Sequence, residues 1–261
     1  MPVHMRTPVR RISQQEFGDI SYEALHHVSA IHNQIGRFLD EKIYKRELAF
    51  RLPGVRIEEP IDVVFESFRK RYFLDVLVGD GAIFEFKAVE SLAARHRAQL
   101  LHYLLLCNVE HGKLINVRPE NVEHEFLNTQ LTQADRTQFE VHLSRWDRAT
   151  GAAELPELLT ALLRDLGTGL EIGLYEEAVV QLLGAADQSE ADVGVSIDGR
   201  IVGKQRFRLI SPGVAFKVTS FEEQYESFEK HAQRLLEHTT LRAIAWINIA
   251  RKKVNFTMLR S

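Results

Sequence analysis

Asp75-Val76-Leu77-Val78-Gly79-Asp80-Gly81-Ala82-Ile83-Phe84-Glu85-Phe86-Lys87 is two short apolar runs joined by a turn, and its reading decides the fold. Gly79, Asp80 and Gly81 supply the positive-φ residues of a tight hairpin. Side chains at i and i+2 of a strand share a face, so Glu85 and Lys87 project together and Phe86 turns away. Asp75 meets them across the ladder. Ile83, Phe84 and Phe86 make the second strand apolar and central, where a charge is expensive unless it is paired or binds a metal. Two carboxylates beside an ammonium suit metal-dependent phosphodiester hydrolysis. Hard oxygens hold Mg²⁺ or Mn²⁺, the metal polarises the phosphate and acidifies a water, and the lysine orients that water. The same residues also read as a cross-strand salt bridge on a solvated sheet face.

Working outward, Ile20 to Gln34 shows helical spacing with Asp19 or Ser21 as a cap, and the pattern breaks at Gly36. A second helical pattern carries Phe38, Leu39, Glu41, Ile43, Tyr44, Leu48 and Phe50, and stops at Pro53-Gly54. Runs at Val55 to Ser67, Arg71 to Val78 and Ala82 to Ala88 read as three strands. Ser91 opens a helix with Leu92, Leu100, Leu101, Leu104 and Leu105 on its apolar side, and Gln99 and Tyr103 one turn apart. Gly112 ends the turn before a strand at Lys113 to Val117. Past Pro119, Val122 to Leu131 and Phe139 to Trp146 read as strands and Leu155 to Leu166 as a helix.

The order then begins again: a helix around Leu174 to Leu183, strands at Val193 to Ile197, Ile201 to Ile210 and Val214 to Val218, a helix from Phe221 to His238, and a strand at Ala243 to Ile249. Residues correspond as well as shapes. Tyr44 matches Tyr175, Phe86-Lys87 matches Phe216-Lys217, Ala98-Gln99 matches Ala232-Gln233, and Ile115-Asn116-Val117 matches Ile247-Asn248-Ile249, at offsets of 131, 130, 134 and 132. Such self-similarity is the mark of an internal repeat. The expected fold is α/β, with two tandem αβββαβ units, the second degenerate. Its divisions are an N-terminal arm (1–19), a first unit (20–126), a connector (127–167) and the second copy (168–261). In that copy Lys217 and Gln233 persist. Ala215 stands for Glu85, Leu209 or Arg208 for Asp75, and Glu237 for Tyr103, so it lacks the carboxylates a metal of this kind needs.

Glu41, Asp75, Glu85-Phe86-Lys87 and Gln99-Leu100-Leu101-His102-Tyr103, in that order, resemble the PD-(D/E)XK nuclease superfamily, with the Q-x-x-x-Y helix of its RecB-like branch. The segment from Ile31-His32 through Gly36 to Glu41 and Tyr44, with the later Ile115-Asn116, resembles the GxxExxxR family. Phe38 and Lys45 stand where that family has its first glycine and its arginine, and Asp40 neighbours the glutamate position. The resemblance covers about residues 20 to 126. It implies a restriction-endonuclease-like core, a mixed central sheet flanked by helices, and Asp75, Glu85, Lys87, Gln99 and Tyr103 as catalytic residues. Glu41, Asp75, Glu85 and the Phe86 backbone carbonyl would bind one or two Mg²⁺ or Mn²⁺ ions, and cleavage would leave a 5′-phosphate and a 3′-hydroxyl. A non-catalytic nucleic-acid or protein-binding module that keeps the fold is the alternative.

Composition sets the remaining bounds. With 261 residues, 45% hydrophobic and 26% charged, the chain has the make-up of a globular protein with a real core. A net charge of -3 removes any whole-protein attraction to nucleic acid, so contact with DNA or RNA has to be local. Lys70 and Arg71, with Arg95 and His96 at the start of the helix after Lys87, are the candidate phosphate contacts, although a solvated turn and a helix start explain them equally well. Arg6, Arg10 and Arg11 sit in the extended N-terminal arm. Eleven histidines show no zinc-ligand spacing. Cys107, the single cysteine, follows Leu104-Leu105-Leu106 and reads as a buried structural thiol. No apolar run of about 18 residues occurs and no h-region precedes Arg11, so the expectation is a cytoplasmic protein without a membrane partner. The two units are expected to pair within the chain or through a homodimer.

Overall fold

The computed structural model of the protein describes residues 3–147, 153–183 and 190–261; 148–152 and 184–189, which belong to the connector and second copy expected from the sequence, lie outside them. The elements are β1 (Val3–Met5), α1 (Gln14–Ile35), α2 (Glu41–Arg51), β2 (Val55–Phe65), β3 (Phe68–Val78), β4 (Ala82–Lys87), α3 (Ala94–Cys107), β5 (His111–Asn116), β6 (Glu123–Asn128), α4 (Gln133–Thr137), β7 (Glu140–Arg145), α5 (Leu155–Leu166), α6 (Ile172–Leu182), β8 (Glu190–Ile197), β9 (Arg200–Ser211), β10 (Val214–Thr219), α7 (Tyr225–Glu237), β11 (Ala243–Ile249) and β12 (Lys253–Arg260). They form two compact units, one of residues up to Val64 with Arg69–Gln133, the other of Phe65–Phe68 with Ala134–Ser261. The span expected as a connector holds α4, β7 and α5, which, apart from Gln133, fall in the second unit.

In the first unit α1 starts six residues ahead of the apolar pattern, because Ser13 caps it: its Oγ accepts from the Glu16 backbone N–H at 3.1 Å. Gly36, at φ 77°, ends the helix with its N–H on the His32 carbonyl. The N-terminal stretch is anchored, with β1 pairing antiparallel to β2 and the Arg10 N–H bonding the Asp80 carbonyl. The hairpin turn has Gly79 and Asp80 at φ 57° and 61° and a Gly81 N–H to Val78 carbonyl bond, the primed geometry that matches strand twist.

The six-stranded sheet has the order β1-β2-β3-β4-β5-β6, with β4 and β5 parallel and β5 and β6 antiparallel. One face is covered by α1 and α2, where Phe17, Val28, Ile31, Tyr44 and Leu48 pack on Val76, Phe84, Phe86, Ile115 and Val117. By strand alternation Glu85 and Lys87 point to the other face, with Ile83 and its register partner Gly112. That face carries α3: a Cβ on Gly112 would strike Leu100 and Leu104.

The second unit repeats the order. Its sheet runs β7-β12-β11-β10-β9-β8, so β8 to β12 are neighbours in the same sequence as β2 to β6, and each sheet adds one further strand, β1 beside β2 and β7 beside β12. The parallel pair recurs as β10 and β11, the antiparallel pair as β11 and β12. Two buried hydrogen-bond sets recur as well. Tyr44 donates its hydroxyl to the Gly36 carbonyl, and Tyr175 donates its own to the Gly167 carbonyl at 2.7 Å, each to a positive-φ glycine eight residues back that ends a helix. Asn116 accepts from the Val89 N–H and donates to the Val89 carbonyl; Asn248 does both to Phe221. Among the described residues no helix is long and apolar enough to cross a membrane.

Candidate active site

The site arises where two strands part. β3 and β4 pair as Val76↔Phe84, Leu77↔Ile83 and Val78↔Ala82, and the ladder stops there, while β4 stays bonded to β5 as far as Lys87↔Asn116. Past this point the Phe86 N–H, which faces β3, is taken by a side chain: Asp75 Oδ2 accepts it at 2.9 Å. The gap between the strands thus receives the Asp75 carboxylate. Beside it lies Glu85, 1% exposed, whose Oε1 accepts from Lys87 Nζ at 2.6 Å. Glu85 Oε2 is buried and has no hydrogen-bond partner among the described residues. A buried acceptor left in that state is costly unless something else meets it.

Helix α2 completes the group. Glu41 is in its first turn and Lys45 follows at i+4, on the same face. Lys45 reaches Asp75 Oδ1 at 2.7 Å and also pairs with Glu58 of β2, a non-glycine residue held at φ 53°. Glu41 senses the charges of Asp75, Lys87, Lys45 and Glu58. The electrostatics follow from this crowding. Burial, then the neighbouring Asp75 charge, push the Glu85 carboxyl up to about 8, with Lys87 opposing and Glu41 adding to the rise. Burial and Asp75 raise Glu41 in the same way. For Lys45 burial acts downward, yet its bonds to Asp75 and Glu58 outweigh it and hold the ammonium above its ordinary value.

Of the residues expected from the sequence, Asp75, Glu85, Lys87 and Glu41 come together. The Phe86 backbone lies at the same place, fixed through its N–H. On α3, Gln99 Nε2 donates to Tyr103 Oη at 3.2 Å, so the two act as one unit on that helix, with Gln99 exposed and Tyr103 buried. Lys70 and Arg71 lie five and four residues back along β3 from Asp75, roughly 13–17 Å at strand rise. Arg71 forms a bidentate pair with Asp62 at 2.6 and 2.8 Å, and Lys70 sits over the Tyr72 ring. Arg95 is exposed at the start of α3, next to His96, which is buried with Nδ1 accepting from the Ala93 N–H. Glu58 escaped the sequence reading, and Lys45 entered it only as the residue at the arginine position of the resemblance, with no role in the site. The signal present for Lys45 was its i+4 spacing from Glu41.

The donor set fits a hard divalent cation. Every group is an oxygen, one buried carboxylate oxygen is unmet, and burial together with the Asp75 charge raises the Glu85 and Glu41 carboxyls, an environment that a cation would relieve. Among the described residues no three His, Cys, Asp or Glu side chains already stand at ligating distances; Asp75 and Glu85 are each paired with an ammonium group. In the second unit the place beside β10 is built from opposite charges. Glu176, 131 residues after Lys45, pairs with Arg208 of β9 at 3.0 Å and with Lys217 of β10 at 3.1 Å, and Ala215 faces Leu209 in register.

No curated protein matches the sequence. The solved structure described as "Crystal structure of SSO0001" is similar at 18% identity and a TM-score of 0.29, over 46% of this chain and 61% of that one, so the match spans less than two thirds of that protein. Residues 18–128, less than half of the chain, match the family model described as the PD-(D/E)XK nuclease superfamily, whose members are generally metal-dependent nucleases.

Proposed function

We propose that the protein is a metal-dependent nuclease that hydrolyses phosphodiester bonds of nucleic acid, DNA foremost, at the site where β3 and β4 part. The observation that carries this reading is the convergence of Glu41, Asp75, Glu85 and Lys87 around a buried, unmet carboxylate oxygen. Asp75 and Glu85, with Glu41 and the Phe86 carbonyl, would hold Mg²⁺ or Mn²⁺; when bound, such an ion polarises the phosphate and acidifies a water. Lys87, tied to Glu85, holds its ammonium where it orients the attacking water and stabilises charge developing on the phosphate. Gln99 and Tyr103 would support the phosphate or Lys87 from α3 in the manner of the RecB-like branch, and the resemblance of the Gly36, Glu41 and Tyr44 segment to the GxxExxxR family supports that reading. Lys70, Arg71 and Arg95 would contact the backbone of the substrate, with buried His96 beside Arg95.

The second unit we read as a degenerate copy of the first that has lost the reaction. Matching strand order, the paired Tyr and Asn hydrogen bonds and the steady offset support the duplication, which then reaches back to α5 as the counterpart of α1. Replacement of Glu85 by Ala215, and of the Lys45–Asp75 pair by Glu176–Arg208, supports the loss. Incubation of the protein with single-stranded and duplex DNA and RNA, with Mg²⁺ or with chelator, tests the reading. Cleavage is expected with Mg²⁺ alone and at least about a hundred-fold slower for Glu85→Gln. Wild type that binds the substrates yet cleaves none of them would favour a binding module instead.

A further inference from the structure

Four carboxylates and two ammonium groups meet at the parting of β3 and β4: Glu41, Glu58, Asp75 and Glu85 against Lys45 and Lys87. If all were ionised their charges would sum to -2, the deficit a single divalent cation fills. The two lysines stand differently in this group. Lys87 pairs with Glu85 alone, whereas Lys45, whose side chain is 5% exposed, bridges Asp75 and Glu58 from the other side. Because Asp75 Oδ2 is taken by the Phe86 N–H, Lys45 occupies the second oxygen of that carboxylate. Glu58 is bent toward the group by a left-handed backbone, a conformation that costs a non-glycine residue about 1 kcal/mol and persists where surrounding contacts hold it.

We infer that Lys45 is a built-in cation that neutralises Asp75 and Glu58 in the metal-free protein and competes with the divalent ion for Asp75, and that Glu58 is a further acidic residue of the metal site. The inference rests on the reading of Asp75 and Glu85 as metal ligands. Its physical basis is the repulsion between an ammonium group and a divalent ion that both approach one carboxylate, which lowers the ion's net attraction to it. The lysine therefore either moves toward Glu58 or weakens the ion's hold. A neutral residue of similar length removes the competitor, and the bare carboxylates then depend on the ion.

Calorimetric titration of the full chain with Mn²⁺, together with thermal unfolding in chelator and in Mn²⁺, tests this. For Lys45→Met the expected results are a lower melting temperature in chelator, a larger rise on adding Mn²⁺ than in wild type, and Mn²⁺ binding about ten-fold tighter. Binding that is unchanged or weaker in folded Lys45→Met overturns the inference, as does a variant that Mn²⁺ fails to fold. Glu58 is half exposed, so Glu58→Gln should fold as wild type does and bind Mn²⁺ several-fold more weakly; wild-type affinity in that variant removes Glu58 from the site. The two levels separate cleanly. If Glu85→Gln binds Mn²⁺ as wild type does, the underlying site assignment falls; if it loses binding while Lys45→Met gains none, only the role of Lys45 falls.

Discussion

Lys87 and Glu85 are bonded to each other, yet their tasks are separable. Lys87→Ala should leave Mn²⁺ binding within a few-fold of wild type while slowing cleavage at least about a hundred-fold, read by parallel calorimetry and single-turnover cleavage. Equal losses in both would mean that the lysine only holds Glu85 in place. The raised pKa of Glu85 adds a pH signature. A carboxyl whose folded pKa of about 8 exceeds its unfolded value favours the fold while protonated. Its contribution is complete below about pH 4.5 and is lost as pH rises through about 8, a slope amounting to a few kcal/mol at most. Chelator-treated protein should therefore lose stability between pH 5 and 8 in urea titrations, and Glu85→Gln should flatten that slope. The period-two pattern of Glu85-Phe86-Lys87 exposed this pair in the sequence, because a strand fixes which side chains share a face. Lys45 was not legible as the partner of Asp75, 30 residues away, since that contact depends on how α2 is rotated over the sheet. Glu58 was hidden further by a positive φ that no glycine announced.

At the scale of elements, the parting of β3 and β4 needs β4 to be held from its other side, and Asn116 does this. Its amide brackets Val89 just beyond Lys87, fixing the chain as it leaves the strand, and Asn248 brackets Phe221 in the same way beyond Lys217. Asn116→Ala and Asn248→Ala each strand a backbone N–H and carbonyl in partly buried surroundings, and should each destabilise their unit by about 2–4 kcal/mol in urea unfolding. Asn116→Ala should also impair cleavage, while Asn248→Ala should not. The hairpin turn, α5 and the strands at Glu123–Asn128 and Glu140–Arg145 were readable from glycines and apolar spacing. The start of α1 was not, because its first turn is set by the Ser13 cap while the apolar pattern begins later. Short β1 carries too few residues for any period to show, and it exists through pairing with β2.

For the whole molecule, the two sheets share one strand order and differ in what fills the place beside the central strand: four carboxylates and two lysines in the first unit, Glu176 with Arg208 and Lys217 in the second. A repeat offset could be read from the sequence because tyrosine, asparagine and lysine recur at nearly constant spacing. The reversal of charge could not, since it pairs residues 32 and 41 positions apart. Lys217→Ala should accordingly leave cleavage and Mn²⁺ binding unchanged, whereas every metal-dependent property should trace to the first unit. The most direct test is Mn²⁺ titration of wild type and Glu85→Gln near pH 8, followed by heat release. Binding in wild type that disappears in Glu85→Gln is the predicted result; equal heats from the two proteins would contradict the account.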